Sequence, residues 1–286
     1  MHPLKCLAMP HLDLPHYSLG ATDAEHRRLI DLASHEEHRV VEACRRAGIG
    51  SGATVLDLGC GPLGGLAALA GVVGTDGTVI GIDASASALE KARSILPRSA
   101  FPGIRFLQAD VNEVSLEQLG LDGGDLAYSR LMLLHQASPG RTLRRIASLL
   151  QPGGVVIAHE PSDQPAHAPA SEPHVPAMTR VWELVIAAAR ARGAQTDFGR
   201  RGKAYLEAGF AVESQSAYAV HYPPATGYEI PRIALNSLRP ALAEHGLAGE
   251  EEIAYLDREL EEAKHRSGVL WVSSPLMFEW IGRRKV

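Results

Sequence analysis

Three carboxylates and a pair of glycines carry the chemistry legible in this chain. In Val55-Leu56-Asp57-Leu58-Gly59-Cys60-Gly61-Pro62 an apolar run meets an acid and then two glycines one residue apart. A buried strand that ends this way turns tightly and lets a ligand touch the backbone. Thr78-Val79-Ile80-Gly81-Ile82-Asp83 repeats the strand-then-acid pattern. Asp83 lies 24 positions after Gly59, near the spacing of a carboxylate that holds a ribose. A third run, Ile104-Arg105-Phe106-Leu107-Gln108-Ala109, ends in Asp110, an acid placed to accept from an adenine amino group. Two cofactor classes use such a unit: dinucleotides and S-adenosylmethionine. Gly59, Gly61 and Gly64 satisfy G-x-G-x-x-G, so the glycines alone do not separate them. Asp57 does, because it repels a pyrophosphate at close range and suits a cationic ligand end.

The elements that must hold these residues alternate. Strands are predicted at 53–58, 78–83, 104–109, 125–129 and 154–159, with helices near 64–73, 85–96, 115–119 and 139–150. That alternation requires a doubly wound, mostly parallel α/β sheet with helices on both faces. Phe210–Val220 and Leu276–Gly282 supply a sixth and a seventh strand. Thr22-x-x-Glu25 and Ser34-x-x-Glu37 are capping-box patterns that predict two N-terminal helices, near 23–33 and 35–47. Residues 161–176 carry five prolines and read as a loop, followed by helices over 178–192 and 198–208. An insertion at 221–273 holds an amphipathic helix near 250–267, acidic at its start and basic at its end. Pro223-Pro224 within it reads as a stiff loop. The organisation expected is an N-terminal helical segment (1–48), a cofactor-binding core (49–160), a Pro-rich loop and cap helix (161–197), the rest of the core sheet (198–220 and 274–286) and a helical cap for substrate (221–273).

Five segments, in order, resemble the class I S-adenosylmethionine-dependent methyltransferases, and more narrowly the small-molecule enzymes similar to ubiquinone and menaquinone methyltransferases. They are the Asp57-Gly59-Gly61 loop, Asp83, Asp110-Val111, Asp125-Leu126-Ala127-Tyr128-Ser129-Arg130, and the Leu149-Leu150-Gln151-Pro152-Gly153-Gly154 turn. The resemblance covers roughly residues 17 to 160. It implies a Rossmann-like seven-stranded sheet and S-adenosylmethionine as cofactor, with S-adenosylhomocysteine as product. It assigns Asp57, Gly59, Cys60 and Gly61 to the cofactor loop. Asp83 with Ala84 falls at the ribose, Asp110 with Val111 at the adenine, and Ser129 with Arg130 at the methionine end. Tyr17 matches an aromatic that covers the cofactor. One position departs from the pattern: Leu63 stands where the family commonly has glycine, which takes Gly64 out of the expected contacts.

Methyl transfer from a sulfonium needs alignment more than acid catalysis, and a base only where the acceptor keeps a proton of high pKa. The candidate bases are His135, past the end of the fourth strand, and Glu160, which with His159 closes the fifth. His35 joins them. It lies three residues before His38, one short of the H-E-x-x-H spacing, so no metal is expected. Tyr222 and Tyr228 in the insertion are expected to line the pocket of an aromatic or heteroaromatic natural-product acceptor.

The composition narrows the partners. The chain has 286 residues, is 45% hydrophobic and carries a net charge of −5 with no lysine- or arginine-rich block, which argues against a nucleic-acid substrate. The [DN]-P-P-[YFW] motif that positions a flipped base is replaced by Ser129-Arg130-Leu131-Met132. Three scattered cysteines form no disulfide or zinc pattern. No run of 18 apolar residues and no signal-peptide pattern is seen, so a cytoplasmic protein with no membrane partner is expected. The N-terminal helices leave room for a homodimer. Two alternatives stay open at this level: a catalytically silent cofactor-binding or scaffold protein, and an oxidoreductase, although no Tyr-x-x-x-Lys pair is present.

Overall fold

The computed structural model describes residues 19–20 and 22–285. The first helix, α1 (Asp23–Arg46), starts at Thr22, whose hydroxyl accepts the Glu25 N–H at 3.2 Å. It is one helix of 24 residues, not two. The second capping pattern goes unused because the Ser34 hydroxyl donates back to the Asp31 carbonyl at 2.9 Å, within the helix. The apolar stripe Leu32, Ala33, Val40, Ala43 and Cys44 runs unbroken through that point and packs on the core.

The core alternates as expected: β1 (Thr54–Leu58), α2 (Leu66–Val73), β2 (Thr78–Asp83), α3 (Ala86–Ile95), β3 (Ile104–Gln108), α4 (Leu116–Leu119), β4 (Gly124–Arg130), α5 (Pro139–Leu149) and β5 (Leu150–Pro161). β-branched runs such as Val155-Val156-Ile157 form these strands because both sheet faces are covered. A short β6 (Ala170–Glu172), α6 (Pro176–Ala191) and α7 (Phe198–Leu206) lead to β7 (Phe210–Tyr218). After β8 (His221–Tyr222), α8 (Pro224–Glu244), α9 (Glu250–Lys264) and β9 (Trp271–Ser273), the chain returns as β10 (Met277–Arg284). The large sheet has the order β3-β2-β1-β4-β5-β10-β7, parallel except for β10, which lies antiparallel between β5 and β7. This is the expected seven-stranded, doubly wound sheet.

Two apolar layers sandwich the sheet. One holds α1, α2 and α3 through Ala43, Leu66, Leu69 and Leu89. The other holds α5 and α7 through Leu143, Ile146, Phe198 and Leu206. A third layer binds α6, α8 and α9 to one another through Val181, Leu184, Leu235, Leu238, Leu256 and Leu260.

The cap differs from the helical insertion read from the sequence. The Pro-rich segment contributes β6, which pairs with β9, and β9 pairs with β8, giving a small antiparallel sheet. Pro223-Pro224 opens the 21-residue helix α8, where a missing N–H at the first turn costs nothing. α8 tolerates Pro231 and Pro240 in its interior because tertiary packing of its buried face outweighs the lost hydrogen bonds. α9 stops at Lys264, short of the expected 267.

Candidate functional site

The strand β1 delivers the chain into a loop that two acids hold by its backbone. The Asp83 Oδ2 accepts the Gly61 N–H and its Oδ1 accepts the Ser85 N–H, both at 2.8 Å. The Asp57 Oδ2 accepts the Gly65 N–H at 2.8 Å, where α2 begins. Gly59, Gly61 and Gly64 all have positive φ (66°, 54° and 52°). A Cβ on Gly64 would stand 2.5 Å from the Cys60 carbonyl oxygen and 2.8 Å from Asp57 Oδ2, so this glycine is required by the turn. Among the described residues, a Cβ on Gly61 would meet nothing nearer than Leu29 Cδ1 at 3.9 Å, which leaves room there for a ligand to approach the backbone.

A cavity of about 1040 Å³ runs along the carboxyl ends of β1 to β4. Asp57, Gly59, Cys60 and Gly61 line it from the first loop, and Asp83 and Ala84 from the second. Asp110, Val111, Arg130 and His135 complete the set that the sequence pointed to. Burial pushes the Asp57 carboxyl up to about 7, against the Gly65 N–H and Arg130, which pull it down. Burial raises Asp83 too, opposed by the Ser85 and Gly61 N–H groups and by His26. The Cys60 thiol is raised well above its usual range by burial, so it is no nucleophile. The Asp110 Oδ1 accepts from the Asn112 N–H at 2.8 Å and from Asn112 Nδ2 at 3.1 Å, while its Oδ2 has no partner among the described residues. The donor set fits S-adenosylmethionine. Asp83 has acceptor capacity left for two hydroxyls, Asp110 has a second oxygen to offer an amine, and three carboxylates face a cation.

Five expected residues lie elsewhere. Ser129 is fully buried between β1 and β5 and does not line the cavity. Glu160 is fully buried as well, and its carboxylate accepts the N–H groups of Met132, Leu133 and Leu134 at 3.0, 2.8 and 3.2 Å. Burial lifts it to about 7 against those three donors. Glu160 therefore shapes the turn that carries His135 and does not face the cleft. His35 sits on α1 outside the lining, its Nδ1 2.8 Å from the Asp31 carbonyl and its ring 5.2 Å edge-on from Tyr222. Tyr228 is fully buried in the cap core, whereas Tyr222 lines a second, smaller cavity. Tyr17 lies outside the described residues.

Sequence reasoning missed three residues. His26 lines the cleft from α1, 5% exposed, with no hydrogen-bond partner for its Nε2 among the described residues. Leu131, just past β4, is the one described non-glycine residue with positive φ (55°), a conformation that costs about 1–2 kcal/mol. Glu36, 2% exposed, accepts from Arg130 Nη1 at 3.4 Å and from the Tyr218 hydroxyl at 3.0 Å. Behind it the polar chain continues. The Tyr218 hydroxyl stands 3.3 Å from His159 Nδ1, and His159 Nε2 stands 3.1 Å from Glu279 Oε2, while Glu279 Oε1 accepts from Arg46. The signal for His26 and Glu36 was present: both occupy positions on the apolar stripe of α1, where a polar residue needs a reason.

A family model described as a methyltransferase domain matches residues 49–208. Among curated relatives, a trans-aconitate 2-methyltransferase of Methylobacterium radiotolerans is 37% identical over 114 residues, which is 39% of this chain and 40% of that protein. A demethylmenaquinone methyltransferase of Lactococcus lactis is 28% identical over 167 residues, 58% of this chain and 62% of that one. The chain thus spans less than two thirds of either relative. Similar solved structures include a cyclopropane synthase of Mycobacterium tuberculosis (TM-score 0.59, 14% identity, 97% of this chain and 99% of that chain). Another is a Haloferax volcanii methyltransferase solved with its Trm112 activator (TM-score 0.59, 18% identity, 96% and 98%). These two establish the fold alone. With the matching domain over more than half its length and the acids and glycines of the loop gathered at one cleft, the chain belongs to the class I S-adenosylmethionine-dependent methyltransferases.

Proposed function

We propose that the cleft binds S-adenosylmethionine and that the chain transfers its methyl group to an oxygen, nitrogen or carbon of a small-molecule natural-product acceptor. The convergence of the Gly59–Gly64 loop, Asp83 and Asp110 on one cavity supports this most. When bound, S-adenosylmethionine supplies a methyl carbon on a cationic sulfur, displaced in line while the C–S electron pair stays on sulfur. Asp83 holds the ribose hydroxyls through its remaining lone pairs. Asp110 accepts from the adenine amine. Asp57 keeps the loop closed through Gly65 and, with the other two acids, favours a cationic ligand. Arg130, fixed by Glu36, faces the methionine carboxylate. His135 takes the proton from a hydroxyl or amine acceptor, and the turn held by Glu160 aims it. Alignment of acceptor and methyl carbon provides the larger share of the rate.

The names of the relatives, trans-aconitate and demethylmenaquinone methyltransferase, point to small-molecule acceptors. Of the two tyrosines expected to line an acceptor pocket, Tyr222 lines the second cavity together with Trp182, and Tyr228 does not. Titration calorimetry with S-adenosylmethionine, S-adenosylhomocysteine and NADPH tests the reading. Binding of the first two without the third is expected; binding of NADPH, or of none, overturns it.

A further inference from the structure

A second cavity of about 80 Å³ lies under α1, walled by α6, α8, β9 and the start of β10. Leu32, Met178, Val181, Val185, Ile230 and Met277 make most of its surface apolar. Its charged groups are neutralised inside the protein. Arg28 makes two bonds to Glu25, at 2.8 and 2.6 Å, and Glu36 is held by Arg130 and Tyr218. Trp182 Nε1 donates to the Ser162 carbonyl, Ser273 to that of Ala170, and Ser274 to that of Pro275. One polar group in the lining is left over. The Tyr222 hydroxyl is buried without a partner among the described residues, on a residue only 6% exposed. Burial raises its pKa further, so it keeps its proton and remains a donor.

Leu131 is the one described residue that lines both this chamber and the large cleft. Its backbone is held in the left-handed region, tied by its N–H to the His159 carbonyl at 3.0 Å. Strained residues of this kind gather where a side chain must be held in one place for a ligand.

We propose that this chamber is the acceptor site, that it takes the compact, uncharged, apolar end of the acceptor, and that the Tyr222 hydroxyl donates to it across from Leu131, the partition facing the methyl donor. The inference rests on the methyl-transfer reading above. Chamber size sets the class: about 80 Å³ is roughly half of the ~150 Å³ cavity that holds a benzene, so a short alkyl or small-ring end fits. Charge sets it too. Arg28, the one cation in the described lining of the chamber, is committed to Glu25, so a polycarboxylate such as the trans-aconitate named for several relatives finds no free cation there.

Saturation-transfer NMR on the full chain tests this, with ethanol, its alkane isostere propane and trans-aconitate as probes, after S-adenosylhomocysteine binding has been measured by calorimetry. Ethanol and propane are expected to bind the S-adenosylhomocysteine-saturated protein, and trans-aconitate not. Tyr222→Phe should weaken ethanol about fivefold, which is about 1 kcal/mol, and leave propane unchanged. The same variant should raise the melting temperature of the free chain, since it removes an unpartnered buried hydroxyl; a hydroxyl with a purely structural role would lower it. Ala234→Leu, which fills the chamber, should abolish binding of both neutral probes while S-adenosylhomocysteine still binds. Binding of trans-aconitate to this chamber, unchanged ethanol affinity in Tyr222→Phe, or neutral probes still bound in Ala234→Leu would overturn the site. Failure of S-adenosylhomocysteine to bind would instead overturn the methyl-transfer reading, and the acceptor role with it.

Discussion

Asp83→Asn is the substitution that most directly tests the cofactor geometry. The two carboxylate oxygens offer about four lone-pair sites. Two are taken by the Gly61 and Ser85 N–H groups, both at 2.8 Å, which leaves two for ribose hydroxyls. An asparagine keeps the shape but has one acceptor oxygen and one donor amide. Whichever way the amide turns, it opposes one backbone N–H and loses one loop anchor, about 1 kcal/mol. It also replaces one charge-assisted bond to the ligand, about 1.5–3 kcal/mol. The sum, roughly 3 kcal/mol, corresponds to a Kd about 100-fold weaker. Calorimetry with S-adenosylhomocysteine on wild type and variant reads this directly, with circular dichroism to establish that the variant is folded. A folded variant whose Kd stays within about threefold of wild type would refute the assignment of Asp83 to the ribose.

Other outcomes follow from neighbouring contacts. His135→Ala is expected to lower kcat on a hydroxyl acceptor by about 100-fold or more while S-adenosylhomocysteine affinity stays level, in an assay with labelled methyl donor; wild-type turnover removes His135 as the base. Gly64→Ala should weaken S-adenosylhomocysteine at least about tenfold, because the left-handed φ alone costs about 1–2 kcal/mol before the contact with the Cys60 carbonyl is relieved; unchanged affinity would mean that the loop does not need this turn. Burial opposes the Glu279 carboxylate, but His159 and Arg46 prevail and hold it at about 2, below its ordinary 4.5. A depressed acid stabilises the fold above the unfolded value and loses that contribution as pH falls toward the folded one, here roughly 3 kcal/mol in all. Urea unfolding should therefore show Glu279→Gln destabilised by roughly 3 kcal/mol at pH 7.5 and by about 1 kcal/mol less at pH 4; an equal loss at both pH values rejects the coupling.

The middle of the sheet was legible in the sequence because β1, β2, β4 and β5 are largely buried on both faces and read as apolar runs, and β1, β2 and β3 lead into an acid or a glycine of the cleft. Asp57 with Gly61, Asp83 and Asp110 are local signals: they sit at the ends of three successive strands, so spacing along the chain maps onto spacing along one sheet edge. The joining of the two N-terminal helices into α1 was not legible, since a serine reads as a cap unless the packing of the stripe around it is known. Nor was α8, whose prolines argue against a helix locally and are outvoted by packing in the cap.

The sequence by itself determined the alternation of strands and helices, the cofactor loop and the three acids, because short-range turn chemistry and periodicity decide them; the order of the strands came from the tertiary structure. The tertiary structure alone decided which of the buried polar residues face a cavity. It took Glu160 and Ser129 away from the cleft, brought His26 to it from a helix far away in sequence, set Glu36 of the same helix behind Arg130, and left the Tyr222 hydroxyl without a partner among the described residues in an apolar chamber. The reason is physical: which way a buried polar group faces, and what it meets there, depends on contacts between elements far apart along the chain, and no spacing within one element encodes them.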